Sequence, residues 1–310
     1  MAVCCLTPAA QAATPIITDP VLIYQTGFEK KEGFTLENDL AGQLGWVMDG
    51  TGGNGFLVDY FPGRGSQAYI GFTRPTDTKA STSVWKPLSV NPVPAGMPVL
   101  HFSVEMEIVP STNGRDDDFR WSVYSTNGTR FFSLDFSTRD RAISAILDDG
   151  TFADTATRFE YNGTYKLELW MNFARNTWSM VLNGLVVVSG QRMAAPGTPL
   201  TFGDIDAVWV IGNTALPGNN YMIFDDYRIV AEAVDSIPPY VETVERKADG
   251  TFVIRAFGEP GLKYEILVTG DLQHSFSLGT YTMPAGGAFD FEDTSAKTEA
   301  VSFYTLVSSP

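Results

Sequence analysis

The sequence contains very little cysteine and histidine. Its 310 residues include two Cys and two His, and both cysteines, Cys4 and Cys5, lie close to the N-terminus. A mature chain cut after them has no thiol, which excludes thiolate catalysis, Cys-ligated zinc and disulfide bonds. His101 and His274 alone cannot easily form catalytic triads or zinc sites, and the Gly-x-Ser-x-Gly and His-Glu-x-x-His motifs are absent.

Positive charge and long apolar runs are also scarce. The chain has 21 Lys and Arg against 36 Asp and Glu, a formal net charge of −15. This balance argues against nucleic acid as a partner, because phosphates require clustered basic residues, and against anionic membrane surfaces. No apolar run approaches the roughly 20 residues that span a bilayer. What the chain does contain, 44% hydrophobic and 13% aromatic residues, suffices for a folded core.

Residues 1–13 are uncharged and end in an alanine-rich stretch. The small residues Ala10 and Ala12 fit signal-peptidase cleavage, so we predict the remnant of a signal peptide and a secreted or cell-surface protein. The basic segment that usually opens such a peptide is missing, so we expect that the start is truncated or mis-assigned. A disordered N-terminus is the alternative.

Short alternating runs separated by Gly, Pro and Asn-Gly turns fill the chain, and long helical patterns are absent. This is typical of an all-β, antiparallel sandwich. A double proline near 233–239 predicts the boundary between two β domains. The four Asn-Gly pairs each suit a type I′ hairpin turn and begin at Asn113, Asn127, Asn162 and Asn183. The predicted strands are 21–29, 56–60, 67–73, 99–109, 118–125, 130–137, 142–147, 164–173, 177–188, 206–212 and 221–231 and, after the boundary, 251–257, 262–269, 275–281, 288–291 and 301–307.

Alternation assigns the side chains of each strand to two faces. One face is apolar, and the other mixes polar with aromatic side chains, in four strands: 99–109, 118–125, 130–137 and 164–173. Trp170 lies among polar neighbours on the polar side of the last of these, which predicts a platform for a stacked sugar ring. The alternative is a solvated outer face whose aromatic rings are covered by a loop. The predicted ligand-binding residues are Trp170, Lys166, Glu168, Asn172, Arg120 and Tyr124. Phe131 is also assigned to a polar face.

Several segments resemble a known fold family. They are YQTGFEKKEGF and LAGQLGW between Tyr24 and Trp46, FPGRGSQAYIGF, TYKLELWMNFARNTWSMVLNGLVVV and PGNNYMIFDDYRIVA. Over residues 21–232 they resemble the concanavalin A-like, laminin-G-type jelly-roll domains of secreted bacterial proteins. That superfamily includes sugar binders, adhesion modules, glycosidases and lyases, so the resemblance implies a fold and not an activity. Residues 237–310 resemble a small C-terminal β-sandwich module of the immunoglobulin or fibronectin-III type.

The resemblance also implies a structural calcium site. In related modules, a Glu on the first strand and an Asp of an Asp-Asp pair on the last strand help to hold Ca²⁺. Here the corresponding residues are Glu29, Asp225 and Asp226, and calcium prefers such oxygen ligands. Alternation with Tyr227 and Ile229 predicts that Asp225 points inward and is the better ligand. Two surface acids on an edge strand are the alternative.

Three consecutive acids, Asp116 to Asp118, follow an Asn-Gly pair. We predict a solvated turn there, with adventitious cation binding as the alternative.

Catalysis without Cys or His would depend on carboxylates. Glycosidases need two on one sheet face, about 5–5.5 Å apart for retention of configuration. Retaining enzymes of the resembled family have a Glu-x-Asp-x-x-Glu pattern, whereas Val104 to Val109 supplies only Glu-x-Glu. If the protein is an enzyme, its candidate carboxylates are Glu105, Glu107, Asp135 and Glu168.

We therefore predict a non-catalytic, secreted or cell-surface protein of two β domains. Its jelly roll would recognise an extracellular glycan or a surface protein, and its tail would act as a spacer or interaction module. One alternative is a polysaccharide-degrading hydrolase or lyase that uses the four carboxylates. The other is a structural protein of an envelope or matrix.

Overall fold

The fold was analysed in a computed structural model, which describes residues 19–233, 239–258, 261–269, 275–284, 288–295 and 303–308. The predicted signal peptide, His274 and most of the predicted domain boundary lie outside the described residues. Strands dominate the described chain, with a single short 3₁₀ turn at Lys30–Glu32, and all strand pairs are antiparallel. The predicted all-β, antiparallel class is confirmed.

The strands up to residue 232 form two sheets. In chain order they are β1 (Val21–Thr26), β2 (Val47–Asp49), β3 (Asn54–Val58), β4 (Ser66–Gly71), β5 (Ser81–Trp85), β6 (Val99–Val109), β7 (Asp118–Tyr124), β8 (Arg130–Ser137), β9 (Ala142–Ile146), β10 (Phe152–Arg158), β11 (Tyr165–Asn172), β12 (Thr177–Leu182), β13 (Leu185–Arg192), β14 (Asp204–Val210) and β15 (Tyr221–Glu232). Sheet A has eight strands in the order β13-β12-β11-β6-β15-β4-β3, with β1 paired to β15. Sheet B has seven, in the order β10-β9-β8-β7-β14-β5-β2.

The two sheets pack face to face over one apolar core. The indole of Trp178 in sheet A stacks on Phe132 in sheet B with 3.9 Å between ring centroids. The ring of Phe102 in sheet A lies 5.6 Å from that of Trp121 in sheet B. Because alternation buries one side of most of the strands, dozens of apolar side chains are removed from water, each worth roughly 1.5–3 kcal/mol. This burial stabilises the sandwich without disulfide bonds.

The structure corrects several local predictions. The predicted strand 177–188 is two strands joined at Asn183-Gly184, where φ is 49° and 80°, as a type I′ turn requires. At the other three Asn-Gly pairs only one residue has positive φ. Phe131 is buried in the core, because the β7–β8 register shifts beside it and lets Phe131 and Phe132 both face inward. Four strands were not predicted: β2, β5, β10 and, in the tail, 240–246.

Asp117 is buried and does not lie in a solvated turn, so that prediction is wrong for this residue. Its carboxylate accepts hydrogen bonds from the backbone N–H groups of Gly212 (2.9 Å) and Gly218 (2.7 Å). Burial raises the pKa of Asp117, and these two hydrogen bonds oppose the shift. The side chain therefore ties the loop after β14 to the start of β7.

The tail contains two further three-stranded sheets. Its strands are β16 (Tyr240–Arg246), β17 (Phe252–Phe257), β18 (Lys263–Thr269), β19 (Phe276–Thr282), β20 (Ala288–Asp293) and β21 (Phe303–Ser308). The sheet orders are β16-β17-β20 and β19-β18-β21. A separate small core contains Ala256, Tyr264, Ile266, Met283 and Leu306. The domain limits 21–232 and 237–310 stay predictions. Within the described ranges, no helix is long and apolar enough to cross a membrane.

Candidate ligand-binding faces

The predicted ligand-binding residues lie on two opposite surfaces of the sandwich. Lys166, Glu168, Trp170 and Asn172 are on β11, so they belong to the outer surface of sheet A, which we call face A. Arg120 and Tyr124 are on β7 and belong to the outer surface of sheet B, which we call face B. The core separates the two faces, so these six residues cannot form one site.

Trp170 is not an open platform. Its side chain is 4% exposed and packs with Val99, Val181 and Val186. Its ring stacks on the imidazole of His101, with 4.1 Å between centroids and 12° between planes. Neighbouring side chains on face A thus cover the indole, and the prediction that Trp170 stacks on a sugar is wrong. Asn172 is buried too, and its Oδ1 accepts a hydrogen bond from the Arg175 backbone.

Acidic groups on face A have partners in the protein. Glu168 Oε1 lies 2.9 Å from Lys166 Nζ and 3.3 Å from His101 Nε2. Glu107 accepts hydrogen bonds from the hydroxyls of Tyr60 (2.6 Å) and Thr164 (3.2 Å). These contacts tie the carboxylates into the sheet.

The four predicted catalytic carboxylates do not come together. Glu105, Glu107 and Glu168 are on face A, and Glu105 is paired with Arg64. Asp135 is on β8 and face B, where Arg120 Nε bonds its Oδ1. Burial raises the pKa of Asp135, and Arg120 opposes that shift. Because Asp135 lies across the core from the glutamates, it cannot act with them on one bond.

The predicted calcium ligands share a cleft of about 660 Å³ beside β1 and β15. Its lining includes Glu29, Asp225 and Asp226 together with Glu105 and Arg64. Asp225 is 2% exposed, and its carboxylate accepts hydrogen bonds from Gln67 Nε2 (3.2 Å) and the Asp226 backbone (2.7 Å). Burial raises the pKa of Asp225 to about 6.

Asp225 does not point into the core as predicted. A register shift follows it, and Asp226 has a positive φ of 50°. This bulge changes the alternation, so Tyr227 enters the core while Asp225 lines the outer cleft. Among the residues described, no three His, Cys, Asp or Glu side chains are placed to hold a metal ion together. The present positions of Glu29, Asp225 and Asp226 thus do not form a ligand set, and calcium binding stays a prediction.

Face B carries a pair of carboxyl groups that sequence reasoning missed. On β14, Ile205, Ala207 and Trp209 are in the core, so the alternating Asp204 and Asp206 lie on face B. Asp204 is paired across the strands with Tyr124, and Asp206 with Ser122. In the sequence, Asp204 and Asp206 alternate with Ile205, Ala207 and Trp209, and this pattern could have revealed the pair.

Two aromatic residues flank these carboxyls. Trp85 ends β5, and the register that pairs Ala207 with Val84 places it across from Asp206. Tyr124 is the cross-strand partner of Asp204 on the other side. Both side chains are partly exposed, and neither is part of the apolar core. Face B therefore presents two accessible rings with an acidic pair between them.

In the part of the chain that the structure describes, no basic side chain is paired with the two acids. Asp206 is 7% exposed, and its Oδ1 atom is buried without a hydrogen-bond partner. Within the described ranges, no Lys, Arg or His forms an ion pair with Asp204 or Asp206. Burial raises the pKa of both carboxyls, and the charge of Asp204 raises that of Asp206 further. Near neutral pH the pair consequently retains a proton.

No family model and no curated protein matches the chain. One solved structure of similar shape is a sialidase (TM-score 0.45, 11% identity). The matched region covers 67% of this chain but only 18% of the sialidase chain. Another is the CBM2 module of the evolved Dit of Lactobacillus casei BL23 phage J-1 (0.46, 11%, 70% of this chain and 97% of that one). A third is a protein of unknown function with a galectin-like fold from Bacillus subtilis (0.42, 12%, 70% and 100%). None of these likenesses identifies a ligand or an activity for this chain.

Proposed function

We propose that the protein is a non-catalytic carbohydrate-binding protein and that face B holds its site. One observation carries this proposal: the partly exposed rings of Trp85 and Tyr124 flank the buried, unpartnered carboxyl oxygen of Asp206. Sugars offer both surfaces that such a site would complement, because a pyranose ring has an apolar C–H face and a rim of hydroxyl groups.

The two kinds of group would divide the work of recognition. Trp85 and Tyr124 would bury the C–H face of a sugar, since aromatic rings provide large contact areas at little cost in side-chain entropy. A protonated carboxyl both donates and accepts hydrogen bonds, so the Asp204–Asp206 pair could satisfy a sugar hydroxyl in either direction. Asp204 is the partly exposed member of the pair, so a bound hydroxyl would meet its carboxyl first.

The wider organisation is part of the same proposal. Residues 21–232 would be a concanavalin A-like, laminin-G-type jelly roll, and 237–310 an immunoglobulin- or fibronectin-III-like spacer. The two packed sheets and the separate core of the tail support this division. The partner would be an extracellular glycan, and the protein would be secreted or held at the cell surface.

Substitution of Trp85 tests the proposed site. We expect Trp85→Ala to weaken binding by about tenfold or more on a panel of soluble glucans, xylans and chitin oligosaccharides, because about 1.4 kcal/mol of lost stacking is a factor of ten. Affinity electrophoresis with each polysaccharide measures the effect. Tyr221→Ala is the matched control, because Tyr221 is a partly exposed aromatic residue on β15 and lies on face A. Equal loss in both variants, or none in Trp85→Ala, would place the site elsewhere.

Glycoside cleavage is the second candidate function, and it is favoured by one observation. Asp204 and Asp206 are two neighbouring carboxyls on one face, and burial keeps a proton on the pair. A protonated and an ionised carboxyl together can act as general acid and base or nucleophile. If the wild-type protein releases reducing ends and Asp206→Asn abolishes that release, face B cleaves glycosides and is not only a binding site.

A further inference from the structure

We infer that the glycan bound by face B carries free amino groups, as in a polymer of glucosamine. This inference rests on the proposed function and adds the charge of the ligand. It stands on two geometric facts: an acidic pair with no basic partner, and two aromatic rings beside that pair.

The surroundings of the pair contain acids, hydroxyls, rings and two arginines. Arg130 on β8 is the cross-strand partner of Tyr124, and its Nη2 donates to the Leu147 carbonyl at 3.0 Å. Asp49 on β2 is the cross-strand partner of Ser83, and its carboxylate forms an ion pair with Lys79 at the sheet edge. On β7, the guanidinium of Arg120 is bonded to Asp135 and is directed away from the pair. Beneath the sheet, the buried Tyr227 hydroxyl donates to the Ile205 carbonyl at 3.2 Å. Ser83, Ser122, Tyr124 and Trp85 complete the side chains that face the pair from β5 and β7.

An ammonium group complements this arrangement better than a hydroxyl does. It has three N–H donors, so one group could bond the partly exposed Asp204 and lie beside the charge of Asp206. Its positive charge would neutralise a carboxylate that no base in the described chain neutralises. Trp and Tyr are also the aromatic side chains that attract a cation most strongly at the face of the ring. Anionic sugars would meet like charge at the same place.

Binding of an ammonium should release a proton at mildly acidic pH, where both the sugar amine and the carboxyl pair are protonated. The free pair holds a proton because burial and mutual repulsion oppose full ionisation. A cation between the two carboxyls favours the ionised state, so the carboxyl O–H bond breaks and its proton passes to the buffer. At pH 5 the amino groups of such a polymer are already protonated, so the sugar ammonium keeps its own proton on binding. A neutral sugar gives no such release, which separates the two ligand classes.

The experiment compares two hexasaccharides that differ only in N-acetylation. Fully de-N-acetylated chitosan hexamer and its fully N-acetylated counterpart are titrated into the full chain at pH 5 and near-physiological salt, which screens long-range attraction. Calorimetry is run in two buffers of different ionisation enthalpy, so that proton release appears as a buffer-dependent heat. We expect at least tenfold tighter binding of the amino hexamer, with proton release for that ligand only.

Two variants separate a specific site from general attraction to the acidic protein. Asp206→Asn should abolish the preference and the proton release while retaining weak binding of both hexamers. Asp154→Asn removes one acid from the exposed edge strand β10 and should leave the preference unchanged. Equal loss in both variants would overturn the inference, because it would mean non-specific attraction of a polycation.

The outcomes also distinguish this inference from the proposed function. Equal affinity for both hexamers, lowered by Trp85→Ala, would reject the amino-sugar inference and leave face B as a carbohydrate site. Binding of neither hexamer, together with no Trp85-dependent binding on the wider glycan panel, would reject both.

Discussion

Faces A and B are built from the same kind of strand, but they treat charge differently. On face A, Glu105, Glu107 and Glu168 each have a partner, and the large aromatic ring of Trp170 is covered. On face B, Asp206 has a buried oxygen without a partner, and Trp85 remains partly exposed. A polar face whose groups satisfy one another contributes to stability. Face A also has a buried atom without a hydrogen bond, His101 Nε2, but that atom lies 3.3 Å from the Glu168 carboxylate. The unpartnered carboxyl oxygen on face B has no basic group paired with it in the described chain, and such a group points to a ligand.

This contrast decides how a tryptophan on an outer face should be interpreted. Trp170 and Trp85 both alternate with core residues, and both have polar neighbours along the strand. Only the tertiary structure shows that valines and a histidine close over Trp170. Exposure of the ring, and not its position in the alternation, therefore separates a structural aromatic residue from a candidate binding residue.

The largest expected effect is a difference in stability between a substitution on face A and one on face B. Trp170→Ala should destabilise the protein by about 3–5 kcal/mol, because it leaves a cavity where a buried ring packs on His101 and three valines. Trp85→Ala should cost only a fraction of that, since its ring is partly exposed and outside the core. Urea unfolding of both variants measures the difference. Similar losses in the two variants would mean that Trp85 is structural as well.

The second expected effect uses pH. In the unfolded chain Asp206 ionises near its ordinary pKa of 3.8, whereas the folded protein retains the proton to higher pH. Between these values the folded state binds more protons than the unfolded state, so stability falls as pH rises. Asp206→Asn removes this loss. From pH 5 to pH 8 the variant should gain up to about 4 kcal/mol relative to wild type, since one proton is worth about 1.4 kcal/mol per pH unit.

Glu107→Gln is the control for this pH effect. Glu107 is also buried, but on face A, where two hydroxyls donate to it. Its substitution is compared with wild type at pH 5 and pH 8 by the same urea unfolding. If Glu107→Gln gains as much stability between pH 5 and pH 8 as Asp206→Asn does, the two faces do not differ in their electrostatics as proposed.

Strands and core were largely predictable because they depend on local alternation. The strand predicted at 99–109 matches β6 at both ends, and its apolar residues Phe102, Val104, Met106 and Ile108 are all in the core. Errors arose where a single residue shifted the register, as at Phe131 and Asp226. A bulge depends on cross-strand geometry, so the period of one strand does not contain it.

The candidate site was less predictable, because alternation assigns a residue to a side of its own strand and not to a sheet. Arg120 and Trp170 both lie on outward sides, yet β7 and β11 belong to different sheets. Strand order in a sandwich follows from long-range pairing, which short sequence patterns do not encode. Asp204 and Asp206 could be placed on one face from the alternation of β14 alone, whereas the unpartnered Oδ1 atom of Asp206 could be recognised only in the packed structure.

The smallest expected effect concerns the cleft at Glu29 and Asp225, beside face A. If Ca²⁺ binds there, it binds only the folded chain, so millimolar calcium should raise the unfolding temperature and a chelator should lower it. We expect a shift of about 2–4 °C, equivalent to roughly 1 kcal/mol in a unit of this size, because the acids do not converge in the structure. Scanning calorimetry measures the shift. Asp225→Asn should abolish the response, whereas Asp206→Asn on face B should retain it. A response that survives Asp225→Asn, or is absent from the wild type, would exclude calcium from the cleft. The acids of the cleft would then be stabilised by Arg64 and the Gln67 amide alone.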